Sequence, residues 1–305
     1  MISSIYSLKQ LEAFVWAVDL GSFRKAAQHL NTTQPNISSR IAKLEATLEV
    51  VLMLRDSNSV RLTEHGAEIL LRARKVLREA EGLVEVANRK DLIEDRLRLG
   101  VTELVACTWL HEYLRQLKSV YPAMVVELTV DLSRNLDKEL AGNTLDLTIQ
   151  TAPFDTPVDG NIDLGDFPYV WVTADGTVFA DTTLVSLKDL MHDIILTHAR
   201  HTQAVTQLMQ HAASQSLPTT RFAASNSMSS CVQMVLDGMG VALLPKALIA
   251  EYLECGQLFQ IGVDWTPSPL SFSARFHSSK ATLFVEHAAG LAAQVAKTFH
   301  AQQDK

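Results

Sequence analysis

The hydrophobic period of this chain changes near residue 96, and that change limits the fold more than any other feature. Before it, apolar residues recur at helical spacing. Leu8, Leu11, Phe14, Val15 and Val18 share one face, and Gly21 ends that helix. Ser22 begins a second, with Ala26, Ala27 and Leu30 inward. Asn31 ends it, Thr32 or Thr33 begins a third, and Pro35 falls in the first turn, where its missing N–H is harmless. Residues 8–48 thus read as three short helices, the last two joined by a tight turn, which is a helix-turn-helix. Two short runs, 51–54 and 60–62, flank Asp56 to Ser59 and read as a small hairpin, or wing. Thr63 then begins a long helix over about residues 64–88.

After residue 96 the period alternates between strand and helix. Strands are expected at 97–102, 125–130, 145–150, 162–166, 169–173, 193–197, 221–225, 241–245 and 271–276, with helices between most of them. Helices are expected at 202–215, at 227–237 and from Ala281 to His300. Such alternation predicts mainly parallel sheets covered on both faces. Two series in one body predict two subdomains with a cleft at the carboxyl ends of the strands. The fold class is therefore α/β with an N-terminal all-α winged helix-turn-helix, a long linker helix and a two-subdomain body. The boundaries read as 1–65 for the head and 66–90 for the linker. The body is 91–305, divided into 91–166 plus 268–305 and 167–267, with a charged hinge from Asp91 to Arg96.

Six residues of the long helix, Leu70, Ala73, Leu77, Ala80, Val84 and Ala87, are spaced alternately three and four apart. That is a heptad seam, which predicts pairing with a second copy. The alternative is packing on the chain's own body.

The entrance to the third helix, Thr32-Thr33-Gln34-Pro35-Asn36, is polar, while Ile37, Ile41, Leu44 and Leu48 behind it keep helical spacing. A recognition helix meets DNA with its first turns, where small hydrogen-bonding side chains can approach base edges. Gln34 suits an adenine edge and Pro35 a thymine methyl. Thr32, Thr33, Ser38 and Ser39 suit phosphate oxygens, and Arg40 and Lys43 add charge. Ser22 and Asn36 join this set. Net charge is −7, which by itself opposes nucleic-acid binding. Residues 1–90, however, hold 13 Lys and Arg against 10 Asp and Glu. A weakly basic head on an acidic body fits DNA at the head only.

Residues 8–77 resemble the winged helix-turn-helix and linker helix of LysR-type transcriptional regulators. The matching elements are LxxLxxFxxV from residue 8, GSFxxAAxxL at 21–30, TQPxIS at 33–38, IxxLE at 41–45, Arg55 in the hairpin, and RLTEHG at 61–66. LRLGVTE at 97–103 and SNSMSSCVQMVLDGMGVALLP at 225–245 are similar to the family's effector domain. Glu49 stands where the family often has Gly, Met53 where Phe is usual, and Ser39 where Arg is frequent. The resemblance implies promoter DNA as partner, with Arg55 at a minor groove or phosphate. It also implies a homodimer through the linker helix, extending to a homotetramer, and a periplasmic-binding-protein-like cleft for a small molecule.

Strand ends nominate the cleft residues: Thr102 and Glu103, Thr151, Thr197 and His198, Arg200 just beyond, and Ser227 at a helix start. Helix N-termini with Arg200 and His198 suit a polar or carboxylate-bearing effector. Glu103 points the other way, to an amine or hydroxyls. His198 and His201 lack a third ligand at metal spacing, so no metal is expected. Cys107, Cys231 and Cys255 form no CxxC and read as reduced, buried thiols rather than a redox pair.

No GxSxG, HExxH, GxxxxGK[ST] or GxGxxG motif is present, so neither an enzyme nor a cofactor is expected. A solute-binding protein for transport would share the cleft, but it would carry a signal sequence and lack the helix-turn-helix. With no run of about 18 apolar residues, no membrane association and a cytoplasmic location are expected.

Overall fold

The structure, a computed structural model, describes residues 5–56, 59–87, 96–176, 184–219, 221–278 and 282–303. The head comprises α1 (Leu8–Asp19), α2 (Phe23–His29), α3 (Gln34–Leu48), the hairpin β1 (Met53–Asp56) and β2 (Ser59–Leu62), and α4 (Glu64–Val86). Ser7 and Gln10 form a capping box on α1. Gly21, at φ 61°, makes the turn into α2, and Ser22 Oγ accepts from Lys25 N–H there at 3.4 Å. Leu11, Phe14, Val15, Ala26, Ala27, Ile37, Ile41 and Leu44 close one buried core, joined by Leu52 and Met53 of the wing side.

Two polar residues tie this core to the wing. Glu45 accepts from Leu52 N–H at 2.8 Å and from Met53 N–H at 3.3 Å. Thr63 Oγ1 donates to the Val51 carbonyl at 2.6 Å and accepts from Gly66 N–H at 2.9 Å. Gly66 packs so tightly that an added Cβ would lie 2.0 Å from the Leu52 carbonyl oxygen.

The heptad seam expected on α4 needs correction. Leu70 and Ala73 are buried in the head core, and Leu77 packs against it. The chain's own head takes these positions first, because α1 lies across the start of α4. Ala80 and Val84 are half-buried and Ala87 is exposed. Further along, α4 leans on the body: Arg78 donates to the Ser278 carbonyl and to Glu286, each at 2.8 Å, and Glu81 accepts from Leu283 N–H. Among the described residues, its exposed large apolar positions are Leu71, Val76, Leu83 and Val86, of which Val76 and Leu83, 38% and 73% exposed, lie one heptad apart.

The body contains two five-stranded sheets. Its elements are β3 (Arg96–Val101), α5 (Glu103–Cys107), α6 (Leu110–Val120), β4 (Val125–Val130), α7 (Ser133–Ala141), β5 (Leu147–Thr151), β6 (Gly160–Phe167), β7 (Tyr169–Thr173), α8 (Leu187–Leu190) and β8 (Ile195–His198). They continue with α9 (Gln203–Ser214), β9 (Phe222–Ser225), α10 (Met228–Leu236), β10 (Val241–Pro245), α11 (Lys246–Glu254), β11 (Phe259–Ile261), β12 (Leu270–Phe276) and α12 (Leu283–Gln303). The first sheet runs β4-β3-β5-β12-β6 and the second β11-β7-β10-β8-β9.

Each sheet is mixed rather than mainly parallel. β3 pairs in parallel with β4 and β5, and β8 with β9 and β10, as helix crossovers require. β12 runs antiparallel to β5 and β6, and β7 antiparallel to β10 and β11. These are the strands that carry the chain between sheets: β6 leads to β7 through Pro168 alone, and β12 brings the chain back. Short α8, α11 and β11 were not foreseen. The charged hinge lies almost wholly outside the described residues, which resume at Arg96.

Candidate functional site

The first site is the entrance of α3. Thr33 is its N-cap, at φ −100° and ψ 150°, and Gln34 and Pro35 open the helix. Ile37, Ile41 and Leu44 anchor the inner face, so helical geometry turns Gln34, Asn36, Ser39 and Lys43 outward, and all four are exposed. Thr33 and Pro35 are exposed too, while Ser22, Thr32, Ser38 and Arg40 are half-buried. Asn36 Nδ2 donates to Thr32 Oγ1 at 3.2 Å and so braces the turn rather than standing free. Gln34, Arg40 and Lys43 have no partner within the described residues. Arg24 and Lys25, not singled out from the sequence, are exposed on the first turn of α2 beside Ser22. Their signal was their place directly after a helix cap. The side chain of Arg55 lies outside the described residues.

Glu49, which stands where glycine is common, adopts φ 56° and ψ 33° at the end of α3. This left-handed position explains the usual glycine, since a Cβ is strained there.

The second site is a cavity of about 500 Å³ between the two sheets. Thr102, Glu103, Thr151, His198 and Ser227 line it, from strand ends in both sheets. Arg200 is exposed and does not line it. Thr197 is buried, 1% exposed, and lies outside the lining. Both therefore leave the effector set: Arg200 sits beyond the strand end, and Thr197 lies within β8, where its carbonyl accepts from the Cys231 thiol at 3.3 Å. Sequence reasoning missed the β4–α7 wall, which contributes Asp131, Ser133, Arg134 and Asp137, and also Tyr169, His201 and Asn226. The DLSRNLD run after β4 held that signal as the next strand end in series.

Much of the charge in the cleft is already matched. Asp137 and Arg275, 5% and 4% exposed, form an ion pair. Asp137 also accepts from Gln150 Nε2 at 3.0 Å and from Thr156 N–H at 2.7 Å. Burial pushes the Asp137 carboxyl up, but these bonds outweigh it and hold its pKa below the usual value. Ser133 Oγ accepts from Thr151 N–H at 3.0 Å and lies 2.8 Å from Thr151 Oγ1.

Glu103 crosses the cleft to α10. Its carboxylate accepts from the N–H groups of Met228 at 2.7 Å and Ser229 at 3.1 Å, and from the Ser227 and Ser229 hydroxyls. Burial raises its pKa, yet the four bonds leave it lowered on balance. Burial lowers the pKa of His198. The neutral ring donates from Nε2 to the Asn226 carbonyl at 3.2 Å.

The expectation of three buried thiols is corrected. Cys231 is buried, and burial pushes its thiol up; Cys107 and Cys255 are exposed. Cysteine is absent from the residues lining the cavity. No helix of the described residues is long and apolar enough to cross a membrane.

Comparison with known proteins bears on both sites. Residues 8–67 match the model for the bacterial regulatory helix-turn-helix protein, lysR family, and residues 90–293 match the LysR substrate binding domain. A probable hydrogen peroxide-inducible genes activator of Streptomyces viridosporus is 30% identical over 294 residues, covering 93% of each chain. An uncharacterized HTH-type transcriptional regulator of Bacillus subtilis, YvbU, is 28% identical over 79% of this chain and 82% of its own. Among solved structures, a full-length OxyR variant of Pseudomonas aeruginosa superposes with a TM-score of 0.62 at 22% identity, covering 95% of this chain and 94% of the other. Full-length BenM gives 0.56 at 19% identity, covering 98% of both. At these identities the two structures speak to the fold.

Proposed function

The chain belongs to the LysR family of DNA-binding transcriptional regulators with a substrate-binding domain, and from that premise we propose that it is a ligand-gated reader of promoter DNA. The observation that carries this is the pairing of an outward polar helix entrance with a cavity walled by both sheets. Gln34 reads a base edge, Pro35 lies near a thymine methyl, and Thr33, Ser39, Arg40 and Lys43, with Arg24 and Lys25, meet the backbone. Thr32 and Asn36 brace each other, and Ser22 and Ser38 flank the same surface. The small molecule enters between α7 and α10, touching Thr102, Thr151, His198 and Ser227. A ligand that binds one cleft geometry better than another shifts the population of the two, and only that difference regulates.

Two copies pair through α4 on the face carrying Val76, Ala80, Leu83 and Ala87, spaced four, three and four apart. This face replaces the one centred on Leu70 and Ala73. Pairing sets two α3 helices against half-sites about 34–36 Å apart, or multiples of that. The relatives named as hydrogen peroxide-inducible genes activators suggest a response to peroxide instead, but a cavity of about 500 Å³ between the two sheets favours a bound molecule.

Selection of duplexes from a random pool by the full chain tests the DNA reading. A shared motif is expected, and Gln34→Ala should cost about 1–3 kcal/mol on it and relax one base position. Equal loss on cognate and scrambled duplexes removes Gln34 as a base reader. Bound duplexes without a shared motif would refute base reading altogether.

A further inference from the structure

Glu103 belongs to the first sheet's side of the cleft, directly after β3, yet its hydrogen bonds end on the second sheet's side. Oε2 takes Met228 N–H, and Oε1 takes Ser229 N–H and both serine hydroxyls. These amides open α10, the end of the helix that attracts negative charge. An open helix start facing a polar cavity draws in an external anion. Here a carboxylate of the chain already occupies it. Beside that carboxylate, two buried side chains lack full satisfaction. Thr102 Oγ1 and His198 Nδ1 have no hydrogen-bond partner among the described residues, and their residues are 8% and 7% exposed. His198 Nε2 lies 3.9 Å from Glu103 Oε2. Because Nε2 carries the proton donated to Asn226, Nδ1 presents a lone pair. This wall therefore offers acceptors: a carboxylate and an imidazole nitrogen. Buried acceptors without donors are rare in settled interiors and mark a place completed by something else.

We propose that Glu103 is the specificity-determining residue of this cleft: it holds the α10 N-terminus as a built-in anion, excludes carboxylates from that wall, and selects an effector that brings an uncharged hydrogen-bond donor, an amide or hydroxyl, to His198 and Thr102. The assignment rests on the reading of the cleft as the effector site. It also answers the choice the sequence left open between Glu103 and Arg200, since Arg200 does not line the cavity.

The test uses the full chain and two probes of equal shape, benzamide and benzoate, with thermal midpoint as readout. Wild type should respond to benzamide more than to benzoate. Glu103→Ala uncovers the helix start, and its midpoint should rise with benzoate concentration where wild type's does not. A Glu103→Ala protein no more responsive to benzoate than wild type overturns the proposal. So does a wild type stabilised equally by both probes. If the alanine variant does not fold, Glu103→Gln supplies a second measurement. The folded pKa of Glu103 lies below its ordinary value. Its charged-state stabilisation is therefore complete above the ordinary carboxylate range and vanishes as pH falls through the folded pKa. The midpoint gap between wild type and Glu103→Gln should be widest near neutrality and close on acidification. His198, which faces the carboxylate, and Cys231, buried on α10 itself, are common to both proteins. A gap that stays constant with pH overturns the proposal. Failure of these tests leaves the effector reading standing, whereas a broad small-molecule panel that never stabilises wild type would remove that reading even if the alanine variant gains benzoate binding.

Discussion

The head and the cleft build their functional surfaces in opposite ways. In the head, the proposed reading surface is nearly continuous in sequence, from Ser22 to Lys43, and Gln34, Arg40 and Lys43 on it have no partner within the described residues. In the cleft, the wall residues come from segments as distant as Thr102, Thr151, His198 and Asn226, and most of the charge is matched internally. The head is complete once three helices pack. The cleft exists only after two sheets have formed and the chain has crossed between them twice. A surface of the first kind tolerates change at the surface and fails through its core, whereas one of the second kind is sensitive at the polar contacts themselves.

Substitutions sharpen this contrast. The largest expected effect lies in the cleft. Arg275→Ala leaves Asp137 charged and buried without its partner, and should cost about 3–5 kcal/mol in denaturant unfolding. A loss below about 1 kcal/mol, the scale of an exposed pair, would show the cleft to be no more interdependent than the head's surface. In the head, Gly66→Ala forces a Cβ onto the Leu52 carbonyl, and should lower stability by about 1–3 kcal/mol while weakening DNA binding through the wing. Unchanged stability would mean that α4 and the wing separate at little cost.

On α4 the two faces should behave differently. Leu83→Glu should leave the fold intact and weaken self-association about tenfold or more, equivalent to about 1.4 kcal/mol, read by sedimentation. Leu77→Glu should destabilise the head instead, because Leu77 packs on its core. The opposite result for the pair would restore the seam through Leu70, Ala73 and Leu77. The smallest effect is a gain. Glu49→Gly relieves a left-handed residue and should stabilise the head by about 0.5–1 kcal/mol by thermal unfolding. A loss would mean that the glutamate side chain contributes more than its backbone strain costs.

Much of the head was legible in the sequence. Gly21, Ser22 and Thr63 mark helix boundaries, and the apolar spacing of α3 identifies its buried face. The seam on α4 was misread for a physical reason. A heptad pattern shows that a stripe will be buried, not what will bury it, and the nearest apolar surface was the chain's own α1. The cleft was half legible. Strand ends located Thr102, Glu103, Thr151, His198 and Ser227. They did not reveal that Arg200 lies outside the lining, nor that the β4–α7 loop forms a wall.

By itself the sequence determined the order of the head's elements and of most of the body's, the inward face of each short helix of the head, the polar entrance of α3 and the α/β class. These follow from local periodicity and capping, which neighbouring residues decide among themselves. Only the tertiary structure decided the mixed strand directions, the partner of α4, and the state of each charge in the cleft. Glu103 shows why. Its chain position suggested a group awaiting a ligand, but its carboxylate meets amides more than 120 residues away. Whether a charge is free or matched depends on what the fold brings within hydrogen-bonding distance, and that distance is set by packing, not by sequence spacing.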